Sequence, residues 1–302
     1  MKKNKVNSVV IVGGTHGNEL TGIHLVKQCQ KEKLNENYSS FSLAYLLANS
    51  QAIKENRRYI DIDLNRSFKL PDLSDPNLQH HESKLAKKIN NEIGPKGQSK
   101  TDFIIDLHTS TANMQINIVI TRIDKFHLQL ASYLKQTLLD VTVTSEAELL
   151  GDHHFLESIA PNGVLIEIGP IAQGCIEYPI LQKTKQAMLA CLEFVELYNN
   201  DSIPDLPEVL ETFSYYSKVE FPLDELGEIS ASVHPSLIGK AYPLLKKNDP
   251  IFKTFAEDDI PYMGETTHLS FINEAAYYDK NIAMCLCEQA NYSLITNKRI
   301  KQ

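Results

Sequence analysis

The sequence predicts an α/β fold, a mostly parallel or mixed sheet flanked by helices, followed by a smaller β-rich C-terminal domain. Three observations predict it. Short β-branched apolar runs alternate with helically spaced stretches through about residue 198. A polar, proline-bearing segment, Asn199 to Pro207, then interrupts the pattern. Beyond it the apolar runs are separated by turn residues and have little helical periodicity. These shifts place the domains at 1–205 and 206–302.

Taken in order, Asn7 to Val12 is a Val- and Ile-rich run closed by Gly13-Gly14, the pattern of a buried strand ending in a turn. Leu20, Ile23, Leu25 and Val26 suit an amphipathic helix from Glu19 to Cys29. Phe41 to Leu47 and Phe103 to Leu107 are further strands, and Leu85, Ala86, Ile89 and Ile93 place a helix over Glu82 to Ile93. Asn117 to Thr121 and Val164 to Ile168 are strands, Asp124 to Leu139 has helical spacing, and Ile180 to Leu197 is a long amphipathic helix. In the second domain, strands are expected at 213–221, 240–245, 251–255, 266–272 and 283–287.

Composition narrows the function. The 302 residues are 42% hydrophobic and 23% charged, ordinary values for a folded chain with a sizeable core. A net charge of -8 argues against a nucleic-acid or acidic-membrane surface, though a small anion responds only to the local field of a site. No apolar window is long enough for a membrane span. The basic start, Met1 to Lys5, reads as a solvated leader to a buried strand and not as a signal peptide. The five cysteines lack paired metal-ligand spacing, and Cys285 and Cys287 read as packing on one strand face; a reducing cytoplasm is expected.

The chemistry gathers in a few segments. In Gly13-Gly14-Thr15-His16-Gly17-Asn18-Glu19, His16 and Glu19 follow a strand and its glycine turn, where both can converge on one ion. In Asp106-Leu107-His108-Thr109 a strand ends in a histidine, and functional groups of α/β sheets collect at such strand ends. Two histidines and one carboxylate with an open fourth position form a common catalytic zinc set. A lone His-x-x-Glu is usually surface decoration; the Gly-Gly turn and the second strand-end histidine favour the metal reading. Asp106 is placed to accept a hydrogen bond from a ligand imidazole. His80-His81 read as a polar loop, and His153-His154 as a loop able to reach a site.

Glu167 interrupts the buried run Gly163 to Gly169, where an unpartnered carboxylate would be costly. It is either an outward-facing residue or a general base that takes a proton from the attacking water and passes it to a leaving amine. Arg57 to Arg66 is dense in charge, and extended it would put Tyr59, Asp61 and Asp63 on one face. A solvated loop is its ordinary reading, yet Asn65-Arg66 offers an amide and a planar fork suited to a carboxylate, and another arginine could stabilise an oxyanion.

These segments, together with Ile272-Asn273-Glu274-Ala275-Ala276-Tyr277-Tyr278, resemble aspartoacylase, a branch of the zinc carboxypeptidase-like hydrolases that includes succinylglutamate desuccinylase. The motifs recur in order from about residue 8 to 280. The resemblance implies a carboxypeptidase-like mixed sheet and one Zn2+ held by His16, Glu19 and His108. It implies Glu167 as general base and acid, Arg58 polarising the scissile carbonyl, Asn65 with Arg66 holding the substrate α-carboxylate, and Tyr277 closing over the substrate from the second domain. The substrate would be a small anionic N-acyl amino acid, N-acyl-L-aspartate first.

One departure bears on that substrate. The family carries an arginine ten residues before the catalytic glutamate, paired with the aspartyl carboxylate; here the position is Glu157, and a helpful tyrosine aligns with His153. A carboxylate cannot clamp a carboxylate. Either His153, His154 or Lys280 supplies the cation, or the acyl amino acid is not N-acetylaspartate. Succinylglutamate or another N-acyl amino acid is the near alternative, peptide trimming a more distant one, and a non-catalytic metal-binding module the reading from another class. A homo-oligomer is left open.

Overall fold

The computed structural model describes residues 5–147 and 151–300. The chain runs β1 (Ser8–Gly13), α1 (Leu20–Lys31), β2 (Ser42–Leu47), α2 (Ser50–Glu55), α3 (Leu70–Ser74), α4 (His81–Ile93), β3 (Phe103–Thr109), β4 (Gln115–Ile120), α5 (Lys125–Thr137), β5 (Val141–Ser145), β6 (Asn162–Gly169) and α6 (Tyr178–Asn199). The C-terminal part adds β7 (Val209–Glu220), β8 (Ala231–Val233), β9 (Leu244–Leu245), β10 (Pro250–Thr254), β11 (Asp259–Pro261), β12 (Thr267–Ser270), β13 (Ile282–Ser293) and β14 (Lys298–Arg299). Short 3-10 helices cover Leu64–Arg66, Leu156–Ile159 and Ala275–Lys280.

Among the described residues, one eleven-stranded mixed sheet has the order β2-β1-β3-β6-β4-β5-β7-β13-β12-β9, with β14 beside β13. β1 lies parallel to β2 and β3, and β3 parallel to β6, while β4 is antiparallel to β6. Both faces are covered, which is why β1 reads as a continuous apolar run. Val9 and Ile11 join the core beneath α1, α5 and α6, whereas Val10 and Val12 join a second core with Ala86 and Ile89 of α4. A third core, with Phe221, Phe252 and Leu269, lies in the C-terminal part, where β8, β10 and β11 form a small separate sheet.

The sheet does not stop at the polar linker. β7 pairs in parallel with β5, and Leu210, Ala290 and Tyr292 pack into the first core. Composition marked a change of character at residue 205 or so, while backbone hydrogen bonding runs through it.

Several elements differ from the expected ones. The segment 57–63 is the loop its charge suggested, but it is pinned and not freely solvated, because three of its backbone N–H groups have a buried acceptor. The buried Glu82 carboxylate takes those of Ile60, Asp61 and Ile62 at 2.7, 3.0 and 3.1 Å. His81 is not in a loop: it opens α4, its N–H donated to Asp61 Oδ2 at 2.7 Å, and only His80 is fully exposed. Only Leu244–Leu245 of the expected 240–245 strand is paired. Cys285 and Cys287 are buried as expected, but a register shift between Leu286 and Cys287 breaks the alternation there.

Candidate metal centre and active site

β1 ends at Gly13, and the chain reverses through Gly14, at φ +73° in the left-handed region that favours glycine. A side chain on Gly17 would collide with the Ala52 backbone at 2.1 Å, so this close approach also requires glycine. His16 is thereby carried over the strand ends, and Glu19 sits at the N-cap of α1. His108 arrives independently, next to last in β3, with Glu167 as its register partner on β6.

His16, Glu19 and His108 are all buried, with ligand atoms within 4.8 Å of one another. His16 Nδ1 lies 2.6 Å from Glu19 Oε1, His108 Nδ1 lies 3.0 Å from Glu19 Oε2, and the two Nδ1 atoms are 3.2 Å apart. The far sides of both rings face carboxylates: His16 Nε2 is 3.0 Å from Asp63 Oδ1, and His108 Nε2 is 2.9 Å from Asp106 Oδ2. A carboxylate there fixes the tautomer with hydrogen on Nε2 and leaves the Nδ1 lone pair free. When both Nδ1 atoms are free of protons, two lone pairs and a carboxylate converge, an arrangement suited to a small cation. Without a cation, the surrounding carboxylates favour a proton on His108 in its place. Burial opposes charge on His108, yet Asp106 and Glu19 push its pKa well above the ordinary value. Burial likewise opposes ionisation of Glu19, but His16 and His108 hold its carboxyl well below the usual range.

The remaining expected residues gather around this point. The cavity beside His16, Glu19 and His108 is lined by Arg58, Asn65, Arg66, Glu167 and Tyr277, among others. Glu167 therefore faces the site and not outward solvent. Burial, then the Glu19 carboxylate, raises its pKa. Arg58 donates to Glu19 Oε1 and Asp63 Oδ2, both at 3.2 Å. Asn65 is held by Leu156 N–H, donated to its Oδ1 at 2.9 Å. The Arg66 guanidinium stacks over Phe155, 5.1 Å from the ring centre. Tyr277 enters from the 3-10 helix Ala275–Lys280, its ring 5.6 Å from that of Phe271.

The two substrate-loop residues are elsewhere, and this corrects the expectation for them. Glu157 is fully buried and lines no part of the cavity; its Oε1 accepts from Thr121 Oγ1 at 3.0 Å. Burial and then Asp106 push its carboxyl up to about 8. His153 lines a separate cavity with Lys96 and Arg122. The like-charge conflict raised by Glu157 therefore does not arise inside the site.

Sequence reasoning passed over four carboxylates. Asp63 orients His16 and also caps its own short helix by accepting from Asn65 N–H at 2.9 Å. Glu82 shapes the loop that delivers Arg58 to Arg66. Glu274 accepts from Ser110 Oγ, from Ala112 N–H and from Ala276 N–H, tying the β3–β4 connection to the helix of Tyr277. Glu146 lines the cavity from the end of β5. Only Glu146 had a readable signal, a charge directly after the β-branched run Val141 to Ser145.

Next to the metal cavity lies a larger pocket of about 400 Å³, walled by Phe155, Tyr215, Phe271, Tyr277, Ile282 and Cys285, with polar Thr144, Glu146, His154 and Lys280. Arg66, Glu146, Phe155, Phe271 and Tyr277 line both spaces, so the two adjoin. Burial and then Arg66 lower the pKa of His154 to about 3, which leaves it neutral.

Comparison with known proteins gives this arrangement a lineage. Residues 5–195 match the succinylglutamate desuccinylase/aspartoacylase catalytic domain, and residues 208–289 match the AstE/AspA barrel-sandwich hybrid domain. The chain is 40% identical over 286 residues to a probable aspartoacylase of Trichodesmium erythraeum, covering 94% of this chain and 98% of that one. It is 38% identical over 292 residues to an N-acyl-aromatic-L-amino acid amidohydrolase (carboxylate-forming) of Xenopus laevis, covering 94% and 95%. The crystal structure of murine aminoacylase 3 superposes with a TM-score of 0.91 at 30% identity over 100% of both chains. Two consecutive domain matches and relatives matched over nearly the whole chain lead to one conclusion: the chain belongs to the succinylglutamate desuccinylase/aspartoacylase family, enzymes that hydrolyse N-acyl amino acids.

Proposed function

We propose that the protein is a zinc-dependent deacylase that cleaves N-acyl amino acids with bulky, largely apolar side chains into a carboxylate and the free amino acid. The observation that carries this reading is the junction of the His16–Glu19–His108 centre with an aromatic-walled pocket of about 400 Å³. A nitrogen, nitrogen and carboxylate donor set suits zinc. A bound divalent ion supplies Lewis-acid polarisation of the acyl carbonyl and makes water more acidic.

The chain's own residues do the rest. Arg66, with Asn65 beside it, holds the substrate α-carboxylate and so orients the scissile amide. Glu167, raised by burial, accepts the proton of the attacking water and returns it to the departing amine. Arg58 stabilises negative charge developing on the carbonyl oxygen. Tyr277 closes the site against water. For Glu167→Gln we expect metal content to stay at one ion per chain while kcat falls by roughly a hundredfold or more; near-normal turnover would remove Glu167 from the proton path.

N-acyl-aspartate is the second reading, favoured by relatives named probable aspartoacylase. Specificity constants across N-acetyl derivatives of tyrosine, phenylalanine, leucine and aspartate, with succinylglutamate, decide between them. A clear preference for N-acetylaspartate would overturn the apolar assignment.

A further inference from the structure

We propose that Glu146 is a specificity-determining residue, whose carboxyl group turns away acidic amino-acid side chains and accepts a hydrogen bond from a side chain ending in O–H or N–H. The inference rests on the deacylase reading and names what that site selects.

Glu146 directly follows β5, and its N–H donates to Ile120 O at 3.0 Å, so its backbone is held by the neighbouring strand. Its side chain lines both the metal cavity and the aromatic pocket. Of the residues common to both spaces, only Arg66 and Glu146 carry ionisable side chains of opposite sign. An α-carboxylate held by Arg66 places the amino-acid side chain at this junction, with Glu146 beside its path.

No hydrogen bond among the described residues satisfies the Glu146 carboxyl, and burial raises its pKa while Arg66 alone pulls it down. The carboxyl is half-buried at the pocket junction, and a substrate hydroxyl or ring N–H arriving there displaces water and becomes its donor. Accepting such a bond needs only a carboxyl oxygen, so it holds in either protonation state. Beside an ionised Glu146 an aspartyl carboxylate finds no donor and meets a like charge. His154 is neutral, and Lys280, which lines the pocket from an exposed position, is solvated and offsets two acids only weakly. Like charges brought together in a half-buried space are penalised strongly.

The test uses the full-length, metal-loaded protein and its Glu146→Gln and Glu146→Leu variants. kcat/KM is measured for N-acetyl-L-tyrosine, N-acetyl-L-phenylalanine and N-acetyl-L-aspartate. The wild type should favour the tyrosine over the phenylalanine substrate by about tenfold, as expected when a half-buried acceptor gains its donor, and disfavour the aspartate one. Glu146→Leu should abolish the tyrosine preference. Glu146→Gln should keep much of it, through the amide oxygen, while raising aspartate relative to phenylalanine by about tenfold. A structural role would lower all three substrates in step; a reading role changes their ratios. Ratios unmoved within about twofold in both folded variants, or a wild-type preference for N-acetylaspartate, would overturn the proposal. Calorimetric binding of the same three compounds gives the comparison without turnover. Absent hydrolysis of any of them therefore sinks the deacylase reading, while the binding ratios still decide the role of Glu146.

Discussion

Glu157 illustrates how a single residue can be misjudged from its position in a motif. By alignment it replaces a cation that would hold substrate; in space it is a fully buried group beside Thr121 and Asp106. Its carboxyl, pushed up to about 8 first by burial, stays protonated in the folded state where the unfolded chain ionises. The unfolded state then binds fewer protons, so this group lowers stability as pH rises from its ordinary range, about 4.3, toward 8. Glu157→Gln should flatten that decline and stabilise the protein at pH 8 by about 1–3 kcal/mol, with little change between pH 4 and 5. Denaturant melts across pH would show it; parallel curves for both proteins would refute the buried-acid account. His16, Glu19 and His108 were legible because glycine turns and strand ends leave a mark in sequence. Asp63 was not, since nothing in a charged loop says which carboxylate will meet an imidazole 47 positions earlier.

At the scale of elements, the loop 57–63 brings Arg58 to the cavity, leads into Asn65 and Arg66, and has no regular structure of its own. Its form is imposed by Glu82, whose buried carboxylate also accepts from Asn49 Nδ2 at 3.0 Å. Burial opposes the Glu82 charge, but the backbone N–H groups and Asn49 outweigh it and lower the pKa. The sign is therefore opposite to that of Glu157. Stability from Glu82 is complete above the ordinary carboxyl pKa and is lost as pH falls through the lowered folded value. Glu82→Ala should cost roughly 2–4 kcal/mol at neutral pH, since several backbone donors lose a charged partner. It should also disorder Arg58 and Arg66 enough to raise KM. Chemical denaturation and kinetics on the same sample test both; unchanged KM would separate the loop from the site. The strands and long helices were readable because their periodicity is local. β5 was missed: its alternating Val-Thr-Val-Thr-Ser is short and gains its strand character from β4 and β7 on either side.

For the whole molecule, the continuous sheet has a consequence for stability. β5–β7 pairing and the shared core join the two sequence regions, so both should unfold together. A metal bound at the proposed centre would add to this, because it favours the native state by RT ln(1 + [L]/Kd), about 4 kcal/mol at a thousandfold excess over Kd. Chelation should then lower the midpoint of one transition and abolish hydrolysis, with zinc restoring both. Two separate calorimetric transitions, only one of them metal-sensitive, would contradict the coupling. Among the described residues, no helix is long and apolar enough to cross a membrane.

The sequence by itself determined the strand and helix alternation, the change to a β-rich second part, and the candidate metal cluster of His16, Glu19 and His108 with Glu167 near it. Periodicity, glycine turns and strand-end chemistry are written in neighbouring residues. Only the tertiary structure decided which carboxylates serve which partner. Asp63, Glu82, Glu157 and Glu274 are alike in sequence, and what separates them is desolvation and the donors that distant segments bring within about 3 Å. It also decided that Glu146 lines the cavity and Glu157 does not, because the end of β5 opens on the cavity while the helix Leu156–Ile159 turns its glutamate inward.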